Sequence, residues 1–258
     1  MSARPPLNLV RDAFPDRPAI DTAALLRALL ERVAEGDVPA TLRIHRPRAT
    51  VSFSKQDANA PGYARAVKAA GDAGFEAVER LAGGRAAVFH EDTVAIAWAV
   101  PAKRARESIH ERFAEAADLI ALALRGLGVD ARVGEVPGEY CPGEFSVNAR
   151  GQVKLAGLGQ RLISGAAHTG GVLVAAGADR VREVLVPVYE ALELPFEPST
   201  AGSVADEVPG IGYEEVETAL IEAFAERYDL VEAGIDAETM ALAERLESRH
   251  RPEWRLSA

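Results

Sequence analysis

The chain's single cysteine stands in "GEYCPGEFSVNARGQVKLAG", residues 138–157, directly before a Pro-Gly pair and thirteen positions ahead of Lys154. A thiol attacks only as its thiolate, so Cys141 calls for a nearby cation or base, and the sequence offers Lys154 and His168. The plainer alternatives are a small hydrophobe bordering a loop for Cys141 and an exposed strand lysine for Lys154. A second constellation is "RLAGGR", with Arg80, Gly83, Gly84 and Arg85. Its glycines would let backbone approach a ligand closely while the guanidinium groups meet an anion. A hairpin turn accounts for two glycines equally well, and the spacing matches neither the dinucleotide nor the P-loop fingerprint. His168, in "GAAHTGG", reads either as a base or ligand contact or as a satisfied structural histidine. One cysteine cannot build a disulfide or a cysteine-based zinc site, and the five histidines show no metal-ligand spacing, so no metal is expected.

These residues must be held by particular elements. Pro142 biases Cys141 toward extended backbone, and Pro142-Gly143 fits the central pair of a type II turn. A hairpin with a loop at Ala149-Arg150-Gly151 sets Phe145 opposite Leu155 and Val147 opposite Val153. The apolar side chains then share one face, and Ser146, Asn148 and Lys154 share the other. This register puts Cys141 near Gly159, about 16 Å along the ladder from the residue opposite Lys154, so direct contact requires the cysteine loop to fold back. A division of labour follows, the thiol attacking an acyl carbon that Lys154 positions by donating to a carbonyl or phosphate oxygen.

Around the hairpin, Asp21 can cap a helix whose Leu25, Leu26, Leu29, Leu30 and Val33 keep a helical rhythm. "TLRIHRPRATVSFS" reads as two short strands broken at Pro47. Its Arg43, His45, Arg46 and Arg48 form either a solvated strand edge or a small positive patch for an acidic protein partner. Helices are expected at about 63–73, 104–125, 178–192, 213–228 and 236–249, with β-prone stretches flanking Gly83-Gly84. Residues 192–210 form a long connection, either a domain boundary or a functional loop. Strands and helices interspersed without strict βαβ alternation predict an α+β fold with a mixed, largely antiparallel sheet flanked by helices.

The net charge of −10 argues against binding nucleic acid, whose phosphates demand basic surface. No apolar run is long enough for a membrane span, and "MSARPPLNLVRDAF" lacks the pattern of a signal peptide, so a cytoplasmic protein is expected. The 258 residues suffice for one large domain or two small ones.

Taken together, "RLAGGRAAVFHEDTVAIAWAVP" and "EYCPGEFSVNARGQVKLAGLGQRLISGAAHTGGVLV" resemble the lipoate-protein ligase and octanoyltransferase superfamily, over about residues 40–225. That superfamily shares its catalytic fold with biotin-protein ligase. The resemblance implies an acyl-binding loop at Arg80, Gly83, Gly84 and Arg85, and a hairpin lysine, Lys154 in "KLAGLGQR", contacting an acyl carbonyl or acyl-phosphate. Gly157 and His168 join the substrate-binding set. "YCPGEFSV" is most similar to the branch that moves octanoyl between protein lysines through a cysteine thioester, which makes Cys141 the nucleophile. Residues 1–258 would then form one acyl-transfer domain ending in helices at about 213–250, without a separate ligase accessory domain. The implied partners are apo lipoyl domains or the glycine-cleavage H protein, and an octanoyl or lipoyl donor. Acyl transfer by this route needs no cofactor. Two other readings stand beside it: an ATP- and Mg-dependent lipoate-protein ligase working through lipoyl-adenylate, and a non-catalytic module that binds acylated proteins.

Overall fold

Along "TVAIAWAVPA" large and small apolar residues alternate: Val94, Ile96 and Trp98 against Ala95, Ala97 and Ala99. Successive strand residues point to opposite faces, so such a segment builds a sheet with one thick and one thin face. The computed structural model describes residues 3–11, 17–102 and 106–252. Its strands are β1 (Pro6–Val10), β2 (Thr41–His45), β3 (Thr50–Phe53), β4 (Glu76–Glu79), β5 (Ala87–Phe89), β6 (Thr93–Ala102), β7 (Ala131–Val133), β8 (Val147–Ala149), β9 (Val153–Ile163), β10 (Gly165–Val174) and β11 (Asp229–Glu232). Eight of them form one sheet in the order β11-β1-β2-β6-β10-β9-β8-β7, parallel at β11-β1-β2 and antiparallel elsewhere. A second sheet has the order β4-β3-β5. The expected α+β class with a mixed, largely antiparallel sheet is the class observed.

The helices are α1 (Ala19–Glu35), α2 (Lys55–Ala58), α3 (Tyr63–Asp72), α4 (Ile109–Gly126), α5 (Ala178–Ala191), α6 (Val204–Glu207), α7 (Tyr213–Arg227) and α8 (Ala237–Leu246). On the thick face, Leu42, Ile44, Ile96, Trp98 and Leu173 pack in one core with side chains of α4 and α7. Trp98 meets Phe224 and Tyr228 edge-on, at ring distances of 5.7 and 5.6 Å. On the other face, Val172 and Val174 join a second core built from the small sheet, α3 and α5. Each large side chain buried this way stabilises the fold by roughly 1.5–3 kcal/mol. Among the described residues no helix is long and apolar enough to cross a membrane.

Several expectations need correction. Pro18, not Asp21, is the N-cap of α1. Asp21 lies inside the first turn, where its charge complements the helix dipole. α4 begins at Ile109 rather than near 104, and residues 103–105 lie outside the described set. The two strands split by Pro47 do form, but β2 joins the large sheet and β3 the small one. That division turns Arg43 and His45 inward, where both are buried, so neither a solvated edge nor a four-residue basic patch exists. Only Arg46 and Arg48 remain near solvent, and each already has an acidic partner, Glu214 and Glu76. Burial and the neighbouring Arg43 hold the His45 imidazole well below its ordinary pKa, hence neutral. Strands β1, β7 and β11 were not foreseen.

Candidate active site

The hairpin of β8 and β9 forms two residues away from the expected register. The turn is Arg150-Gly151, at φ +56° and +73°, with the Gln152 N–H donating to the Ala149 carbonyl at 2.9 Å. Ala149 therefore pairs with Val153 and Asn148 with Lys154. Asn148 and Ala149 each meet a partner two places further on, and because strand side chains repeat every two residues, the expected faces survive. Val147, Ala149 and Leu155 join the helix-covered core, while Lys154 lies on the other side. The next pair is Val147 with Ala156, so Leu155 is the extra residue of a β-bulge. The bulge puts Lys154 and Gly157 on the same face although they are three apart. A Cβ on Gly157 would lie 2.9 Å from the Lys154 Cε, so only glycine leaves the lysine room to bend across the strand.

Lys154 is fully buried. Its three ammonium hydrogens have three acceptors: Glu139 Oε1 at 3.2 Å, the Tyr140 carbonyl at 2.9 Å and the Cys141 carbonyl at 2.7 Å. The cysteine loop does fold back, and Lys154 is what holds it. Burial lowers the lysine's pKa, opposed by the Glu139 carboxylate. Glu139 also accepts from the Val136 and Gly143 N–H groups and from the Ser146 hydroxyl, at 3.2, 3.0 and 2.6 Å, so one carboxylate organises the whole loop. Nothing in the spacing of Glu139 singled it out.

Cys141 is half-exposed at φ +43°, in left-handed rather than extended backbone, and Gly143 is not at positive φ, so the expected type II turn is absent. A non-glycine residue held this way stores roughly 1–3 kcal/mol of strain, which the lysine contacts and a hydrogen bond from its own N–H to the Tyr189 hydroxyl (2.8 Å) hold in place. Its Sγ accepts the Arg85 backbone N–H at 3.0 Å, and the Arg80 Nη2 stands 3.9 Å away. The "GGR" loop thus meets the sulfur through backbone. Gly84, at φ +94°, could carry no Cβ, which would fall 2.7 Å from the sulfur.

The two guanidinium groups act differently from the expectation of an anion clamp. Arg80 donates to the Ser52, Ala82 and Gly83 carbonyls, closing its own loop. Arg85 reaches the buried Asp57 carboxylate at 3.5 Å. Gly83 lines the cavity and gives its N–H to the Gln160 carbonyl at 3.4 Å. Residues 192–210 brace the site, since the Glu197 N–H donates to the Gly138 carbonyl at 2.8 Å and Ala201 bridges Lys154.

Beside the sulfur opens a cavity of about 1080 Å³, counting its open mouth. Its floor is the thin face, with Ala95, Ala97, Gly157, Gly159 and Gly170; the small sheet and α1 cover it. Small side chains leave the space, and at Gly170 close backbone packing admits nothing larger, because a Cβ there would sit 2.4 Å from the Ile96 carbonyl. His168 faces this space, nearly buried, its pKa pushed down to about 4 by burial, so it enters as a neutral imidazole. Cys141, Lys154, Arg80, Gly83, Gly157 and His168 thus line one cavity, with Gly84 and the Arg85 backbone against the sulfur. Among the described residues no cluster of three His, Cys, Asp or Glu side chains is arranged to hold a metal.

The fold thus presents a mixed sheet whose thin face floors an apolar cavity, with a thiol at its rim. The profile of the lipoyl protein ligase A/B catalytic domain family matches residues 18–225, and the chain belongs to that family. Relatives include an octanoyl-[GcvH]:protein N-octanoyltransferase of Anoxybacillus flavithermus, 31% identical over 138 residues, which are 54% of this chain and 49% of that protein. The same enzyme of Geobacillus kaustophilus is 27% identical over 159 residues, 62% and 56% of the two chains. The matches thus span about half the length of these relatives. Among solved structures, a lipoate-protein ligase A bound with ATP superposes at TM-score 0.75, with 20% identity and 96% and 95% coverage of the two chains. The bipartite lipoate protein ligase of Thermoplasma acidophilum, solved with its E2 lipoyl domain, gives 0.70 at 18% identity and 96% and 93% coverage. At such identities these two establish the fold.

Proposed function

We propose that this chain transfers an octanoyl or lipoyl group to the target lysine of a lipoyl-domain protein through a thioester on Cys141. The observation that carries this reading is a half-exposed thiol, hydrogen-bonded by the Arg85 N–H, at the rim of a cavity floored by glycine and alanine. In the first step the sulfur attacks the donor's acyl carbon. The S–C bond forms, the donor's C–N or C–S bond breaks, and the leaving amine or thiol takes the proton given up by Cys141. In the second step the acceptor's neutral lysine amine attacks the thioester. Its C–N bond forms, the S–C bond breaks, and the amine's proton returns to the sulfur. Amide exchanged for amide in this way needs no nucleotide. Arg85 stabilises the thiolate through its backbone N–H, Glu139 and Lys154 fix the turn, and the thin face takes the acyl chain.

The relatives' names support an octanoyl group carried on GcvH as donor and a protein as acceptor; we read that acceptor as a lipoyl-domain protein and the compartment as the cytoplasm. Residues 1–258, α7 and α8 included, are read as one catalytic unit. The ATP-dependent ligase has the fold of the ATP-bound neighbour in its favour. Against it, Arg80, Arg85 and Lys154 already donate to acceptors of the protein, which leaves these cations poorly placed for a triphosphate, and no step is derived through ATP or Mg.

Intact-mass measurement with octanoylated H protein and octanoyl-acyl carrier protein tests the reading. A hydroxylamine-sensitive adduct absent from Cys141→Ala is expected, and no adduct with either donor overturns the thioester. Pyrophosphate–ATP exchange dependent on lipoate and surviving Cys141→Ala would establish the ligase instead. Saturable binding of acylated H protein without turnover in either assay would establish the binding module.

A further inference from the structure

The two halves of the site come from distant parts of the sequence, the glycine loop at 83–86 and the nucleophile turn at 139–146. One hydroxyl joins them. Tyr189, on α5, accepts the Cys141 N–H at 2.8 Å and donates to the Ala86 carbonyl at 3.0 Å. Its ring is 2% exposed and packs against Phe196 at 5.3 Å, which in turn meets Tyr140. Burial and the nearby Cys141 raise the phenol's pKa well above its ordinary value, so the hydroxyl stays neutral, donating and accepting at once. Without this bridge, the Cys141 N–H and the Ala86 carbonyl lose their partner. The left-handed turn loses one of its restraints, and the 3.0 Å contact between Sγ and the Arg85 N–H loses its fixed spacing.

We propose that Tyr189 is a positioning residue that ties the Cys141 turn to the 83–86 loop and thereby keeps the sulfur on the Arg85 N–H. The inference rests on the reading of Cys141 as the nucleophile. Its test does not need an acyl donor, because the chain has one cysteine and iodoacetamide reports that thiol alone. Tyr189→Phe keeps the ring and removes the bridge. Its alkylation at a fixed pH of about 7.5 should run several-fold more slowly than in the unaltered protein, since the reacting thiolate loses its fixed backbone donor. Acyl transfer should fall about tenfold in kcat with KM little changed, the size of one lost hydrogen bond. Tyr213→Phe removes a comparably buried hydroxyl, bonded to Glu217 on the other side of the sheet, and should leave the alkylation rate unchanged.

Equal alkylation rates for Tyr189→Phe and the unaltered protein would overturn the proposal, as would an equal slowing in Tyr213→Phe. Should Tyr189→Phe fail to fold, the unaltered protein decides. Its Cys141 amide should exchange with deuterium at least about tenfold more slowly than that of exposed Glu144, and equal exchange overturns the bridge. Slowed alkylation of Tyr189→Phe in a protein that forms no acyl adduct would support Tyr189 as the thiol's positioner while removing the thioester mechanism.

Discussion

The two faces of the large sheet are made by alternate residues of the same strands and have opposite tasks. On β6, Trp98 faces α7 and packs between two aromatic rings, while its neighbour Ala97 faces the cavity. β10 repeats the division, with Leu173 in the helix-covered core and Gly170 on the cavity floor. Around the site, one face is filled with large side chains that pack against α4 and α7, and the other keeps space above a floor of alanine and glycine. Substitutions on the two faces should therefore fail in different assays.

The largest effect falls on the sulfur: Cys141→Ser should lose the acyl adduct entirely in intact-mass spectra while its urea midpoint stays within experimental scatter. Next, Ala97→Leu should fill the cavity and lower acylation by an octanoyl donor at least about a hundredfold at nearly unchanged stability, read by single-turnover kinetics. Trp98→Ala should do the reverse, costing about 3–5 kcal/mol in chemical denaturation while the folded fraction still acylates. A variant of either kind that fails in the other assay would break the separation of faces.

Lys154→Met sits between these cases. It leaves the Glu139 carboxylate buried without its cation, which costs about 3–5 kcal/mol and releases the nucleophile turn, so stability and acylation should fall together. The smallest effect concerns His168. Its folded pKa of about 4 lies below the unfolded value near 6.5, so the unfolded chain takes up the proton first. The associated stability is fully present above about pH 6.5 and is lost as pH falls to about 4, roughly 3 kcal/mol in all. His168→Gln should flatten that part of the stability–pH curve, measured by denaturation between pH 4 and 7, and leave acylation at pH 7 to 8 without a new titration.

Local pattern carried much of this arrangement. The helical rhythm of Val181, Val184, Leu185 and Val188 marked α5, and all four are buried. Alternation on the hairpin put Lys154 on the face where it is found, and the lone cysteine beside a Pro-Gly pair drew attention to a loop that does line the cavity. What escaped depends on contacts between distant segments. β1 and β11 pair in parallel across more than two hundred residues, and no local signal announces such a partner. Arg43 and His45 looked like surface residues because their charge was visible and the destination of β2 was not. The left-handed backbone of Cys141 runs against the bias imposed by Pro142 and persists because Lys154 and Tyr189 hold it from other elements. Glu139 and Tyr189 are ordinary residue types until the fold brings their oxygens to the loop.

The extra residue at Leu155 fixes which side of the ribbon the ammonium occupies. A ribbon of the same length whose ladder ran straight from Gly157 would turn Leu155 out of its core and carry the amine through to the side covered by helices, away from the sulfur, whereas excising Leu155 would restore plain alternation and leave the amine where it is. Kinship in sequence alone therefore says little about chemical competence here: a cousin of equal length whose ribbon lacked this irregularity could share the whole architecture and be inert.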